Sequence, residues 1–408
     1  MSSSTTGLSA LGPFVVPSLL LALGSSSGCS PSESNAATMW SGTMDTLANG
    51  SVLLSNPRDG IWGSETAWRV IEEVRIGTLE GDGPDMFGGI GSMEVDENGN
   101  IYVYERQALE LRVFAPTGEH IRTVGREGGG PGEFKQVIGM DWAPDGTLWM
   151  VDPGNNRISV FDTSGAYVTS HRTIGNYIIS PWPGGFDTTG AFYNYGIDTE
   201  AEPEEQFVMV RYDANMEPAD TFQVPRYDAG DAFFELRTRN SFWRMSIPFT
   251  PGMRWELART GDIWFGVTSD YRLFKTNLDG DTLRVVSREH ESIAVTEADI
   301  ERELEGFDDF VREGGKVDRS RIPAVKPAFR TFFLDDANRL WVMPMTSNAD
   351  EGRLLDVFDS EGRYLGRVQL PFVMQRYPTP LFRNGRIYAV TRDDLEVPYV
   401  VSARIEMP

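Results

Sequence analysis

The chain has 408 residues, with 37 Lys and Arg against 60 Asp and Glu, a net charge of −23. That balance excludes a nucleic-acid or anionic-membrane binder, because phosphates are repelled before contact. One cysteine excludes an internal disulfide and any Cys-rich zinc site, whereas 40% hydrophobic residues suffice for a core and 42 glycines predict many tight turns.

Residues 1–28 carry no charged side chain, and Pro13–Leu23 is apolar. The run is too short to span a bilayer and has the length of a signal-peptide apolar region. Gly24-Ser25-Ser26-Ser27-Gly28 follows, then Cys29, the only cysteine. The stretch resembles a bacterial lipoprotein signal, which implies cleavage after Gly28 and lipidation of Cys29. It lacks a basic residue before the apolar run and has Ser26 where such signals usually carry Leu. The reading is an exported protein of the periplasm or cell surface, anchored to the outer membrane by lipid alone. Residues 29–67 read as a polar spacer and a β-hairpin, with Thr43–Leu47 and Ser51–Leu54 flanking the turn pair Asn49-Gly50.

Beyond the hairpin the chain repeats. Gly83-Pro84 and Phe87 recur as Gly130-Pro131 and Phe134, and Gly99-Asn100-Ile101-Tyr102 recurs as Gly146-Thr147-Leu148-Trp149, each 47 residues on. A period in the forties built from short alternating runs rich in Val, Ile, Tyr and Trp indicates propeller blades. The turn marker appears at Gly99, Gly146, Gly190, Gly261, Asn338 and Gly385, which predicts six blades. The expected fold is therefore all-β, a six-bladed β-propeller over residues 68–408. Blade six lacks its fourth strand, and Trp68–Ile76 has the matching pattern, so the N-terminal strand is expected to close the ring. The long gaps between markers place one insertion at Arg226–Gly252 and a second, between blades four and five, at Arg288–Pro327. In the second, Ile300, Leu304, Phe307 and Val311 share a helical face, with Thr296 as N-cap and Gly314-Gly315 as the stop.

Ala143–Asp152 and Asn155–Phe161 resemble the NHL-repeat group of six-bladed propellers. In that group an Asp…Asn-x-Arg set is mainly blade scaffolding, so Asp152, Asn155, Asn156 and Arg157 are either scaffolding or ligand contacts at the channel mouth. The links between blades and the loops joining second to third strands carry both insertions, Glu80–Gly89, Arg126–Glu133 and Asn194–Glu205. Loop diversity thus gathers on one face, the expected recognition face. There the first insertion offers Arg237, Arg239, Trp243 and Arg244, beside Phe233, Phe234 and Phe242. Arginine next to aromatics suits a carboxylate, a sulfated sugar or an aromatic ligand, or else the insertion is a lid packing its own rings. Gluconolactonase-like propellers imply an alternative, a metal-dependent lactonase or hydrolase with a calcium-type ion held by Glu105, Asn194, Asp270 and Asp393. His120, His171 and His290 fall at unmatched repeat positions, so a histidine zinc site is not expected. The leading reading is an envelope lipoprotein that binds a ligand or another envelope protein, with no catalytic residue and no obligatory cofactor assigned.

Overall fold

The computed structural model describes residues 39–172, 181–197, 207–239, 241–347 and 351–408. The leader, Cys29 and the start of the spacer lie outside the described residues. The architecture is a six-bladed β-propeller of four-stranded antiparallel sheets. The innermost strands of blades one to six are Ile90–Val95, Gly139–Trp142, Gly185–Phe186, Met253–Leu257, Phe329–Leu334 and Leu381–Arg383. Each runs from a link between blades to a tight turn, so the channel has a link end and a turn end.

The turn marker has a physical basis. In blade one, Asp96 accepts backbone N–H groups from Asn98 and Asn100, and Gly99 takes φ +80° to complete the turn. Six residues after the aspartate comes a buried aromatic in the second strand that donates back to it. Tyr193 bonds Asp187 at 2.9 Å in blade three, and the Trp341 indole bonds Asp335 at 2.9 Å in blade five. One aspartate thereby fixes the turn and satisfies the polar tip of a core aromatic. Between blades the core is apolar, with Trp341, Val357, Val401 and Ala403 in the largest cluster.

Closure occurs as expected. Arg69–Ile76 pairs antiparallel with Pro398–Glu406, from Arg69 opposite Glu406 to Ile76 opposite Val400. This strand is the outermost of blade six, so the first and last parts of the ring share one hydrogen-bonded sheet.

The hairpin departs from expectation. Its strands, Thr43–Thr46 and Val52–Asn56, are joined by a five-residue connection with Gly50 at φ +84°, longer than a two-residue turn. Nor is it a free spacer. Val52–Asn56 pairs in parallel with Thr282–Arg288 and extends blade four to six strands. Asn56, 2% exposed, locks it there. Its amide donates to Ser287 O at 3.0 Å and Gly362 O at 2.9 Å, while its oxygen accepts from Trp40 Nε1 at 2.9 Å and Tyr364 N at 2.7 Å.

The two insertions form one cap. The first is a hairpin, Phe233–Arg237 with Phe242–Ser246, and the second contains helix Glu297–Leu304, a tighter turn at Glu305–Phe307 and helix Asp308–Arg312. Phe234 and Ile247 pack with Phe307, Phe310 and Ile322, and Trp243, Ile300 and Leu304 lie against that cluster. Thr296 caps the helix in a reciprocal pair with Asp299. Gly314, at φ +102°, follows the helical end. The single face expected for Ile300, Leu304, Phe307 and Val311 is corrected at its last member. The tighter turn rotates the second helix, so Phe310 is fully buried and Val311 is exposed.

Candidate functional site

The central channel encloses a cavity of about 690 Å³ lined by residues of all six innermost strands and by the links carrying Trp182, Arg376 and Tyr377. Its two ends differ in charge. At the turn end, Arg383 of blade six reaches Glu94 of blade one at 3.0 Å and Asp141 of blade two at 3.4 Å, and Arg259 of blade four reaches Asp141 at 3.0 Å. Asp141 also accepts Trp142 N at 2.9 Å and Phe186 N at 2.7 Å. Four blades are thus tied to one another near the axis, through the buried Glu94 and Asp141 carboxylates, by the half-buried Arg383 and the exposed Arg259. Burial pushes the Glu94 carboxyl up to about 7; Arg383 opposes the rise, and the Asp141 charge adds to it.

At the link end lie Arg254, Arg330 and Arg376. Arg254 donates to Arg330 O at 2.9 Å and Met253 O at 2.8 Å, both backbone carbonyls. Burial lowers its guanidinium to about 10, and the positive charges of Arg376 and Arg330 add to the effect. Arg330 shares Glu351 with Arg302 of the cap helix. Between the two ends, Glu256 accepts Leu334 N at 3.2 Å and has no cationic partner among the described residues. Burial pushes its carboxyl up to about 8, so at neutral pH the wall it contributes is largely uncharged.

The residues expected to form sites are placed as follows. Asp152, fully buried, accepts from Lys135 N, Gln136 N and Asn155 N, and from the Asn155 amide at 2.8 Å. Asn155 donates on to Gly128 O at 2.9 Å, and Arg157 donates to Gly129 O, Gly130 O and Glu133 O. The set organises the Gly-rich link Gly128–Glu133 through the Asp152 carboxylate, the Asn155 amide N–H groups and the two terminal nitrogens of Arg157. Asn156 supplies a left-handed residue at φ 54° after the short turn. Of the scaffold and ligand readings, the geometry matches scaffolding.

In the first insertion, Arg237 lies over the Phe242 ring at 4.9 Å, and Arg244 lies over Phe233 at 3.6 Å while pairing with Glu235 at 3.4 Å. Trp243 packs on the cap core. Arg239 is exposed at the hairpin tip. Arg237 and Arg244 are thus engaged by rings of their own segment and Trp243 by the cap core, the arrangement of a lid with its own core.

The four proposed metal ligands do not come together, which corrects that constellation. Among the described residues, no group of three His, Cys, Asp or Glu side chains is placed to hold a metal ion. Glu105, 1% exposed, is occupied by Gly89 N at 2.6 Å, Gln107 N at 3.0 Å and Ala108 N. It stands 47 residues before Asp152 and plays the same part, fastening the preceding link. Asn194 accepts the Trp182 indole at 2.9 Å. Asp270 is exposed and accepts from Ser269 Oγ at 3.3 Å. Asp393 accepts Leu395 N, Val397 N and Tyr399 Oη within its own loop. Each of these side chains is held by partners in its own neighbourhood of the chain.

Residues 78–251 match the profile of a family described as 6-bladed beta-propeller, DUF5128. The chain is a propeller by sequence as well as by structure. No curated protein matches it. Among solved structures it is similar to a protein from Bacteroides fragilis NCTC 9343 described as exported, at 10% identity and TM-score 0.50, covering 87% of this chain and 99% of the other. It is also similar to virginiamycin B lyase from Staphylococcus aureus, at 8% identity, TM-score 0.42 and coverage of 83% and 99%. A gluconolactonase from Xanthomonas campestris aligns at 13% identity, TM-score 0.36 and coverage of 75% and 82%. At such identities the Bacteroides fragilis likeness speaks for the fold alone, and the other two carry no argument. Among the described residues no helix is long and apolar enough to cross a membrane.

The channel arginines escaped the sequence reading because they are separated by 76 and 46 residues and sit in no motif. A signal did exist. In blades four, five and six an arginine precedes the turn marker by seven to nine residues, as Arg254 before Gly261, Arg330 before Asn338 and Arg376 before Gly385.

Proposed function

We propose that the chain is an exported propeller lipoprotein of the cell envelope, anchored through Cys29, that takes a small ligand into its central channel from the loop-rich link end. The observation that carries this reading is the channel itself. It is a preformed cavity of about 690 Å³ within the usual range for small-molecule sites, crossed at its turn end by the Arg383, Glu94 and Asp141 ion pairs. The fold supplies a rigid ring, and recognition needs no chemistry beyond the side chains already in place.

The test is a thermal-shift screen of small metabolites against the purified protein and a Thr331→Trp variant, whose indole is placed to fill the cavity. A ligand that stabilises the natural protein and not the variant supports the reading. A ligand that stabilises both equally places recognition elsewhere. For the anchor, Cys29→Ala is expected to move the protein from the membrane fraction to the soluble one, and unchanged fractionation refutes lipidation.

A further inference from the structure

The ligand's chemistry follows from the link end of the channel, an inference that rests on the channel being the binding site. In a chain of net charge −23, carboxylates are plentiful, and arginines near the axis at the turn end all have them as partners. Arg254 and Arg376 do not. Among the described residues neither forms an ion pair, although both line the cavity. Arg254 uses two of its donors on backbone carbonyls, which satisfy hydrogen bonds and leave the charge uncompensated. The carboxylate on the same strand, Glu256, is raised by burial and largely uncharged at neutral pH. The neighbouring guanidinium, Arg330, is itself engaged with Glu351. Arg254 is half-buried, and the positive charge of the exposed Arg376 adds to the cost of keeping it charged there, a cost that an anion joining the two relieves.

We propose that Arg254 and Arg376 are the binding residues for the oxyanion, carboxylate or phosphate, of a small organic acid whose body lies along the channel wall containing Trp182 and Tyr377. The planar guanidinium offers paired donors that match either oxyanion, and a lysine in its place supplies charge without that fork. The two half-buried rings in the wall give an aromatic or apolar body a surface to rest on.

The probes are phenylacetate, phenyl phosphate and the neutral phenylacetamide, titrated against the purified protein and followed by tryptophan fluorescence. At least one anion is expected to bind roughly tenfold or more tightly than the amide, since a charge-assisted hydrogen bond contributes the equivalent of that factor. Preference for phenylacetate or for phenyl phosphate identifies which oxyanion the site takes. Arg376→Gln, an exposed position with no partner to lose, is expected to remove the preference at unchanged melting temperature, and Arg376→Lys to restore part of it. Arg254→Gln is expected to do the same with some loss of stability. If the amide binds as well as both anions and Thr331→Trp abolishes all three, the channel reading stands and the arginine assignment falls. If neither anion binds, or if both bind undiminished in Arg376→Gln and Arg254→Gln, the assignment is likewise overturned. A ligand found by the thermal screen that binds outside the channel removes the underlying reading instead.

Discussion

Replacing Glu256 by Gln is expected to stabilise the propeller, and to do so only at neutral and alkaline pH. Glu256 sits on the innermost strand of blade four with one backbone partner, Leu334 N, and no cation among the described residues. Its carboxyl rises from 4.5 to about 8 through burial. The folded state therefore binds a proton that the unfolded state has released between those two values, and stability falls as pH climbs from 4.5 to 8. For the full shift, at about 1.36 kcal/mol per pH unit, the linkage amounts to about 4 kcal/mol at pH 8 and less than about 1 kcal/mol at pH 5. Because one side of the residue faces the channel and keeps some hydration, about half of that is the working expectation, roughly 2 kcal/mol at pH 8. Glutamine retains an acceptor for Leu334 N and has no charge to bury. Urea denaturation of both proteins at pH 5 and pH 8 reads the effect as a shift in midpoint at constant slope. Midpoints that differ equally at the two pH values, or a variant less stable at pH 8, would refute the reasoning.

Removing one member of the axial ion-pair set has the opposite sign. Arg383→Met leaves Glu94 and Asp141 buried without their shared cation and is expected to lower stability by about 3–5 kcal/mol at pH 8, less at pH 5 where Glu94 is protonated, as read by urea midpoints. Asn56→Ala removes four hydrogen bonds, three of them holding the hairpin to blades four and five and one to Trp40, so a loss of about 2–3 kcal/mol and faster proteolytic cleavage within residues 40–60 are expected; unchanged cleavage would show that the strand pairing alone suffices. Phe310→Ala empties the centre of the cap and is expected to cost about 3–5 kcal/mol of cap stability, visible as faster hydrogen exchange across residues 233–246 and 297–312, with the ring strands unaffected. The pair Arg239→Ala with Trp243→Ala should loosen the cap in the same way and leave channel binding intact, whereas loss of binding would return the site to the first insertion.

How far the sequence could be read follows from the range of the interactions involved. Blade number and ring closure were legible because each blade repeats a local solution, a tight turn with a glycine or asparagine in the left-handed region followed by an aromatic in the second strand, reinforced in blades one, three and five by a turn aspartate. Ile76 could be assigned to a fourth strand because it stands 47 residues before Thr123 in the equivalent strand of blade one. The Thr296 cap was equally local. The docking of Val52–Asn56 on Thr282–Arg288 was not legible, since parallel pairing across 232 residues leaves no mark in the pattern of either strand. The carboxylates singled out for metal binding were misplaced for a related reason. Residue type and loop position do not reveal that Glu105 and Asp393 are consumed by backbone N–H groups of their own loops. The channel arginines are the converse case: ordinary in sequence, they become distinctive once the ring sets them around one axis, Arg254 and Arg376 without an ion-pair partner among the described residues.

The most direct test of the account is hydrogen–deuterium exchange with and without phenylacetate or phenyl phosphate, whichever binds more tightly. The account predicts slowed exchange in the innermost strand 253–257 and in the link 376–380, around the mouth of the channel, with no change in the hairpin 233–246. Protection confined to the hairpin, or spread over the outer strands of the blades, would contradict it.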